Sequence, residues 1–168
     1  DLFNDPENQI SGFEANFAMA IKVDSNTQTT ELPASSMSVP QGTLQSGNYL
    51  STWTSNNQYA IINNIDLARE DVNPIQAVFT TFAPSSNILS LQVTVETSSD
   101  VANQIQELCM YNYALNTWVV VKSTATTLAD TIVTHIQGIN PSQFVRASDQ
   151  EMKILVRARE NASEVTVW

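Results

Sequence analysis

The sequence predicts an all-β protein: an antiparallel β-sandwich of jelly-roll type, with an additional N-terminal strand or arm. Three observations carry that expectation. Apolar residues recur with period two in almost every apolar segment. Turn chemistry punctuates the chain at short intervals, as in "DVNP", "APSSN", "TSSD" and "GINPSQ". No βαβ alternation, Gly-rich phosphate loop or fixed-period repeat is present, which argues against α/β, solenoid and propeller folds. A chain of 168 residues suits one domain with an arm. The expected division is 1–36 as lead-in, strand and polar linker, and 37–168 as the sandwich.

Taken in order, residues 1–12 read as an exposed lead-in. In "GFEANFAMAIKV" the odd positions Phe13, Ala15, Phe17, Met19, Ile21 and Val23 are apolar, which predicts a strand. The polar "DSNTQTTELPASS" that follows reads as a long loop or linker. From Met37 onward the strand candidates are "QYAIINNID", "NPIQAVFTTF" and "NILSLQVTVET". "NQIQELCMYNY" and "TWVVVKST" come next and read as a hairpin turning at "ALN" around Asn116. "LADTIVTHIQG", "EMKILVRARE" and "SEVTVW" complete the set. "SSDVANQIQELC" is the best helical candidate, with Asp100 as its cap, but its continuation into "MYNY" suits a strand.

Composition excludes several classes of function. Only 14% of residues are charged, against about 25% in an average soluble domain. Ser, Thr, Asn and Gln make up roughly a third of the chain, so neutral hydrogen-bonding groups keep the surface wet. That pattern points to a secreted or cell-surface location. Seven basic residues among seventeen acidic ones, for a net charge of −10, provide no footprint for a phosphate backbone or an anionic membrane. No apolar run is long enough to span a bilayer as a helix. The chain begins at Asp1 and not at Met, so it is expected to be a processed product or a piece of a longer protein. Cys109, the single cysteine, sits in a strand-like run and is expected to be buried.

Catalytic constellations are wanting. The only base for a nucleophile would be His135. The pattern of "LADTIVTHIQG" puts Ile132, Thr134 and Ile136 on one face and His135 on the other with Thr131, Val133 and Gln137. A solvated or satisfied histidine is the expectation there. Asp66, Glu70, Asp71, Asp130, Asp149, Glu151, Glu160 and Glu164 could form hydrolytic carboxylate pairs, but none sits in a motif. The chain is therefore read as no enzyme. One Cys and one His cannot form a zinc site. No cofactor is expected. A structural calcium is the one alternative, since "DLFNDPEN" and "NNIDLARED" are oxygen-rich, although neither matches a known calcium-loop pattern.

Two aromatic groups remain. Tyr49, Trp53 and Tyr59 lie among Asn48, Asn56, Asn57 and Gln58. Planar rings beside amides have the composition of a surface that stacks on a sugar and grips its hydroxyls. Tyr49, Trp53, Asn56, Asn57 and Tyr59 are the candidate ligand-binding residues. The competing reading has Trp53 plugging its loop onto the end of the sandwich. Tyr111, Tyr113 and Trp118 form the second group, and there the expectation is packing, with Trp118 against Tyr113 across the hairpin. Arg157 and Arg159 share a polar strand face and offset the acidic surface.

Four segments carry a family resemblance: "VPQGTLQSGNYLSTWTSNNQYAII", "IQELCMYNYALNTWVVVKST", "INPSQFVRASDQEMKILVRARE" and "VTVW". Residues 37–168 resemble a jelly-roll accessory module of secreted and cell-surface bacterial proteins, similar to carbohydrate-binding modules. Gly42, Ser46 and Gly47 match its first turn, and Ser55, Asn56 and Asn57 stand where that pattern has Ser-Asp-Asp. Tyr111, Asn112, Tyr113 and Trp118 match its hairpin, and Asn140, Pro141, Ser142, Phe144 and Val145 its last turn.

The resemblance implies fold and export, and no settled activity. The leading expectation is thus a non-catalytic module that binds polysaccharide or extracellular matrix. Self-association or contact with other modules of the same protein is a further expected partnership. The alternative is a structural subunit of an extracellular layer or fibre, assembled by pairing of the N-terminal strand with a neighbour's sheet.

Overall fold

The computed structural model describes residues 13–16, 21–25, 28–53, 59–64 and 73–161. The strands are β1 (Phe13–Asn16), β2 (Ile21–Ser25), β3 (Gln28–Leu32), β4 (Ser36–Gln41), β5 (Thr43–Ser46) and β6 (Ala60–Asn63). They continue with β7 (Ile75–Phe82), β8 (Ser90–Ser99), β9 (Ile105–Asn112), β10 (Thr117–Ala125), β11 (Thr131–Gln137) and β12 (Glu151–Arg159). Among the described residues the only helical pieces are two single 3₁₀ turns, Tyr49–Thr52 and Pro141–Phe144. No helix among them is long and apolar enough to cross a membrane.

The strands form two sheets in which every ladder is antiparallel. One runs β10-β9-β12-β7-β4. In the other, β8 is central. β11 pairs along one of its edges, while β1 and β2 share its opposite edge. β3 extends the sheet from β2, and β6 then β5 extend it from β1. The chain changes sheet at most of its connections, so neighbours in sequence face each other across the core.

Period-two alternation in the sequence becomes the core directly. On β7, Ile75, Ala77 and Phe79 are buried while Gln76, Val78 and Thr80 are not fully so. On β8, Leu91, Val93 and Val95 are fully covered. These side chains join Ile62, Leu108, Met110, Val133, Met152, Ile154 and Val156 in one cluster drawn from both sheets, which makes the fold a sandwich. Burying each large member contributes about 1.5–3 kcal/mol. Phe144 and Val145, just after Pro141, close one end of this cluster. Ser142 anchors that turn, its Oγ accepting from the Ile88 N–H at 3.1 Å. The "NPSQFV" stretch is therefore a plug for the sandwich.

Several expectations need correction. The linker read in "DSNTQTTELPASS" contains β3, a polar strand that pairs with β2 and packs Leu32 against the core. Its Thr and Gln content masked it, because one of its faces has little to bury. β4 and β5 were not expected: β4 shows only a two-residue alternation, Met37 and Val39, which pack at the margin of the core, and the four residues of β5 are all exposed. Trp118 pairs with Tyr111 and not Tyr113: the ladder sets Trp118 opposite Tyr111, with ring centroids 5.2 Å apart. Cys109 is buried, as expected, but it lies outside the inter-sheet cluster, beside Val120 and Leu155 of neighbouring strands. The strand expected at "SEVTVW" lies outside the described residues, as does the lead-in.

The N-terminal strand is placed within its own sheet. β1 pairs with β8 and β6, and β2 with β8 and β3.

Candidate aromatic surface at residues 47–59

β5 ends at Ser46, and the chain reverses at Gly47 with φ +79°. A Cβ there would meet the Tyr59 carbonyl and Ala60, so only glycine allows β5 to approach this close to the start of β6. Asn48 then caps the 3₁₀ turn. Its Oδ1 accepts from the Leu50 N–H at 2.8 Å, and its own N–H donates to Ser51 Oγ at 3.3 Å. Thr52, 1% exposed, donates to the Tyr49 carbonyl at 2.6 Å and seats the turn on the sandwich.

That turn sets the direction of two rings. Tyr49 faces inward and packs against the core cluster. Trp53 follows the turn and points outward, 47% exposed. Its Nε1–H donates to the Ala34 carbonyl at 2.8 Å, so one edge of the indole is fixed to the segment between β3 and β4. That segment is itself tied to β7, with Thr81 Oγ1 donating to the Pro33 carbonyl and the Ser35 N–H to the Thr80 carbonyl, both at 2.8 Å. Tyr49 and Trp53 meet edge to face, centroids 6.2 Å apart at 60°. Trp53 is thus held on two sides with much of its ring in solvent. Leu44 and Leu50, 40% and 49% exposed, add apolar surface in the same stretch of chain.

The structure brings together only part of the expected site. Tyr49 and Trp53 form a unit, with Tyr49 as the inner brace. Tyr59 takes a different role: it is half-buried, its carbonyl abuts Gly47, and its hydroxyl lies 3.3 Å from Asp130 Oδ2. Asn56 and Asn57 lie outside the described residues. The contribution of Ala34 could not be read from sequence, because it comes from a segment nineteen positions upstream.

The second aromatic group is packed. Tyr111 meets both Tyr113 and Trp118 edge to face, at 4.9 and 5.2 Å. Arg146 lies over the Tyr113 ring, 5.7 Å from its centroid. Tyr113 donates to Glu151 Oε1 at 2.9 Å, and Arg146 holds Asp149 at 2.6 Å and Glu151 at 3.0 Å. Burial, then the Glu151 hydrogen bond, push the Tyr113 hydroxyl well above its usual range. The Arg146 hydrogen bond brings the Asp149 carboxyl down to about 2. These groups lock the end of the hairpin to the start of β12.

Of the other candidates for chemistry, Asp66, Glu70, Asp71 and Glu164 lie outside the described residues. His135 is half-buried, with Nε2 3.2 Å from Gln137 Oε1. Glu107 binds Arg157 at 2.7 Å. Among the described residues no three His, Cys, Asp or Glu side chains converge as a metal cluster. The oxygen-rich loops weighed for calcium lie outside the described residues, apart from Asn63 and Asn64. Comparison with protein-family models, curated proteins and solved structures finds no match to this chain.

Proposed function

We propose that this chain is a non-catalytic module of an exported or cell-surface bacterial protein, and that it binds polysaccharide through the face of Trp53. The observation that carries the reading is the state of that residue. A large aromatic ring is left 47% exposed while its N–H is bound to Ala34 and its flank is braced by Tyr49. Fixing the ring in advance reduces the ordering cost of stacking a ligand on it. A tryptophan serving only to pin its loop would gain from burying that face.

Two further features support the reading. The neutral, hydroxyl- and amide-rich surface suits an extracellular setting. The resemblance of residues 37–168 to accessory modules of secreted proteins, with the jelly-roll connectivity that it implies, points the same way. The test is calorimetric titration of the whole chain with a panel of soluble polysaccharides, with Trp53→Ala and Trp118→Phe alongside. The expected result is saturable binding to at least one glycan, lost in Trp53→Ala with the far-UV spectrum unchanged and retained in Trp118→Phe. No binding across the panel, or binding that survives Trp53→Ala, would overturn the proposal.

A further inference from the structure

Among the described residues five strands end the two sheets: β10 and β4 in one, β3, β5 and β11 in the other. An exposed edge invites pairing with another chain, and proteins blunt such edges with charges, prolines, bulges or short strands. Four of the five edges carry such a device. β10 has a register break between Val120 and Lys122, and places that lysine on the edge. β4 has a break between Ser38 and Gln41 and contains Pro40. β5 has four residues and a break between Leu44 and Ser46. β3 has five residues and carries Glu31.

β11 carries none of them. Its seven residues run in unbroken register along β8, from Thr131 opposite Thr97 to Gln137 opposite Leu91. It contains no proline and no Asp, Glu, Lys or Arg. Among the described residues no strand pairs with its other edge. On its solvent face two isoleucines flank Thr134: Ile132 and Ile136 are 66% and 65% exposed, and Leu128 and Ile139 just beyond the strand are 68% and 77% exposed. With Leu115 of the β9–β10 turn at 67%, these are the five most exposed large apolar side chains among the described residues.

We infer that β11 is a docking edge for a second copy of this chain, paired antiparallel about a two-fold axis at Thr134. Self-complementarity selects that occupant. About Thr134 the two-fold places Ile132 opposite Ile136 of the second copy, and the reverse, so both isoleucines find β-branched partners on one face. Charge is compatible as well. Asp130, the nearest carboxylate in sequence, falls opposite Gly138 of the second copy, and the two Asp130 side chains lie at opposite ends of the ladder. A different acidic or basic segment would find no charge on β11 to pair with. The two copies then share one continuous sheet through β8, β11, β11 and β8.

Each copy carries a net charge of −10, so general repulsion opposes association while the strand itself contributes none. Added salt shortens the screening length from about 10 Å at 0.1 M to about 3 Å at 1 M, and so should tighten the dimer.

The test is sedimentation velocity of the whole chain from micromolar to near-millimolar concentration, at low and high salt. The expected result is a monomer–dimer equilibrium strengthened by salt and weakened at least tenfold by Ile136→Lys, which adds an edge charge. Because Ile136 and Ile132 are solvent-exposed, Ile132→Lys is a second variant expected to fold and to weaken the dimer similarly. Register is read separately: Thr134→Cys should form a disulfide-linked dimer under mild oxidation, and Ser38→Cys on the β4 edge should not. A monomer under all conditions would overturn the inference and leave the edge to another partner strand. A dimer that survives both lysine substitutions, or shows no Thr134→Cys cross-link, would also overturn it.

Discussion

Thr97 of β8 and Gln106 of β9 form a hydrogen bond between the two sheets, with Thr97 Oγ1 donating to Gln106 Oε1 at 2.8 Å. They are 2% and 4% exposed, so neither can turn to bulk water. Thr97→Val preserves volume and β-branching but removes the donor, leaving a buried amide oxygen unpaired. That loss is expected to cost about 1–3 kcal/mol. In a domain of this size, each kcal/mol corresponds to about 2–4 °C, giving a melting point lower by about 2–12 °C. With an m value near 2 kcal/mol/M, the urea midpoint falls by about 0.5–1.5 M. Replacing both partners, as in Thr97→Val with Gln106→Leu, removes the pair without stranding either group and should recover most of the loss. Urea unfolding of wild type, both single variants and the double variant completes the cycle. Strictly additive losses, with the double variant no more stable than Thr97→Val, would refute the claim that an unpaired acceptor causes the damage.

Gly47→Ala should destabilise the protein by at least about 2 kcal/mol, from the positive φ and the collision with the Tyr59 carbonyl together; a melting point within a degree of wild type would contradict this. Burial raises the Cys109 thiol to about 11, so in the native state it should resist a thiol reagent at pH 8 and react on unfolding in urea; rapid native labelling would count against the packing described. Asp149, its carboxyl lowered by Arg146, contributes stability that is fully present above pH 4 and is lost as pH falls toward 2. Asp149→Asn should therefore flatten the acid limb of the stability profile between those values, read from thermal melts across pH. An acid limb identical to wild type would refute that assignment.

Much of the fold was legible because period-two alternation reports directly which face of a strand is covered. "NPIQAVFTTF" and "NILSLQVTVET" read as β7 and β8 for that reason. β3, β4 and β5 were harder because they are short and meet only the margin of the core, so Leu32 of β3 and Met37 and Val39 of β4 are all the apolar pattern the first two carry, and β5 carries none. The candidate site was legible as a composition, aromatic rings among amides and hydroxyls. Its division of labour was not. Tyr49, Trp53 and Tyr59 look alike in sequence, yet one braces, one is open and one abuts a turn and faces Asp130. What separates them is the capped turn after Asn48 and the carbonyl of Ala34.

β11 shows the limit most directly. Alternation in "TIVTHIQ" marks two faces, but both are mixed, so the pattern leaves open which one turns inward. The ladder with β8 puts Val133 opposite Val95 in the core and turns Ile132 and Ile136 to solvent. By itself the sequence determined the strand class, the turns and the low-charge character of the surface, because each depends on residues close together in the chain. Only the tertiary structure decided which ring stays exposed, which edge stays open and which face of β11 meets water. Those outcomes depend on pairings between residues tens of positions apart, and no local pattern encodes them.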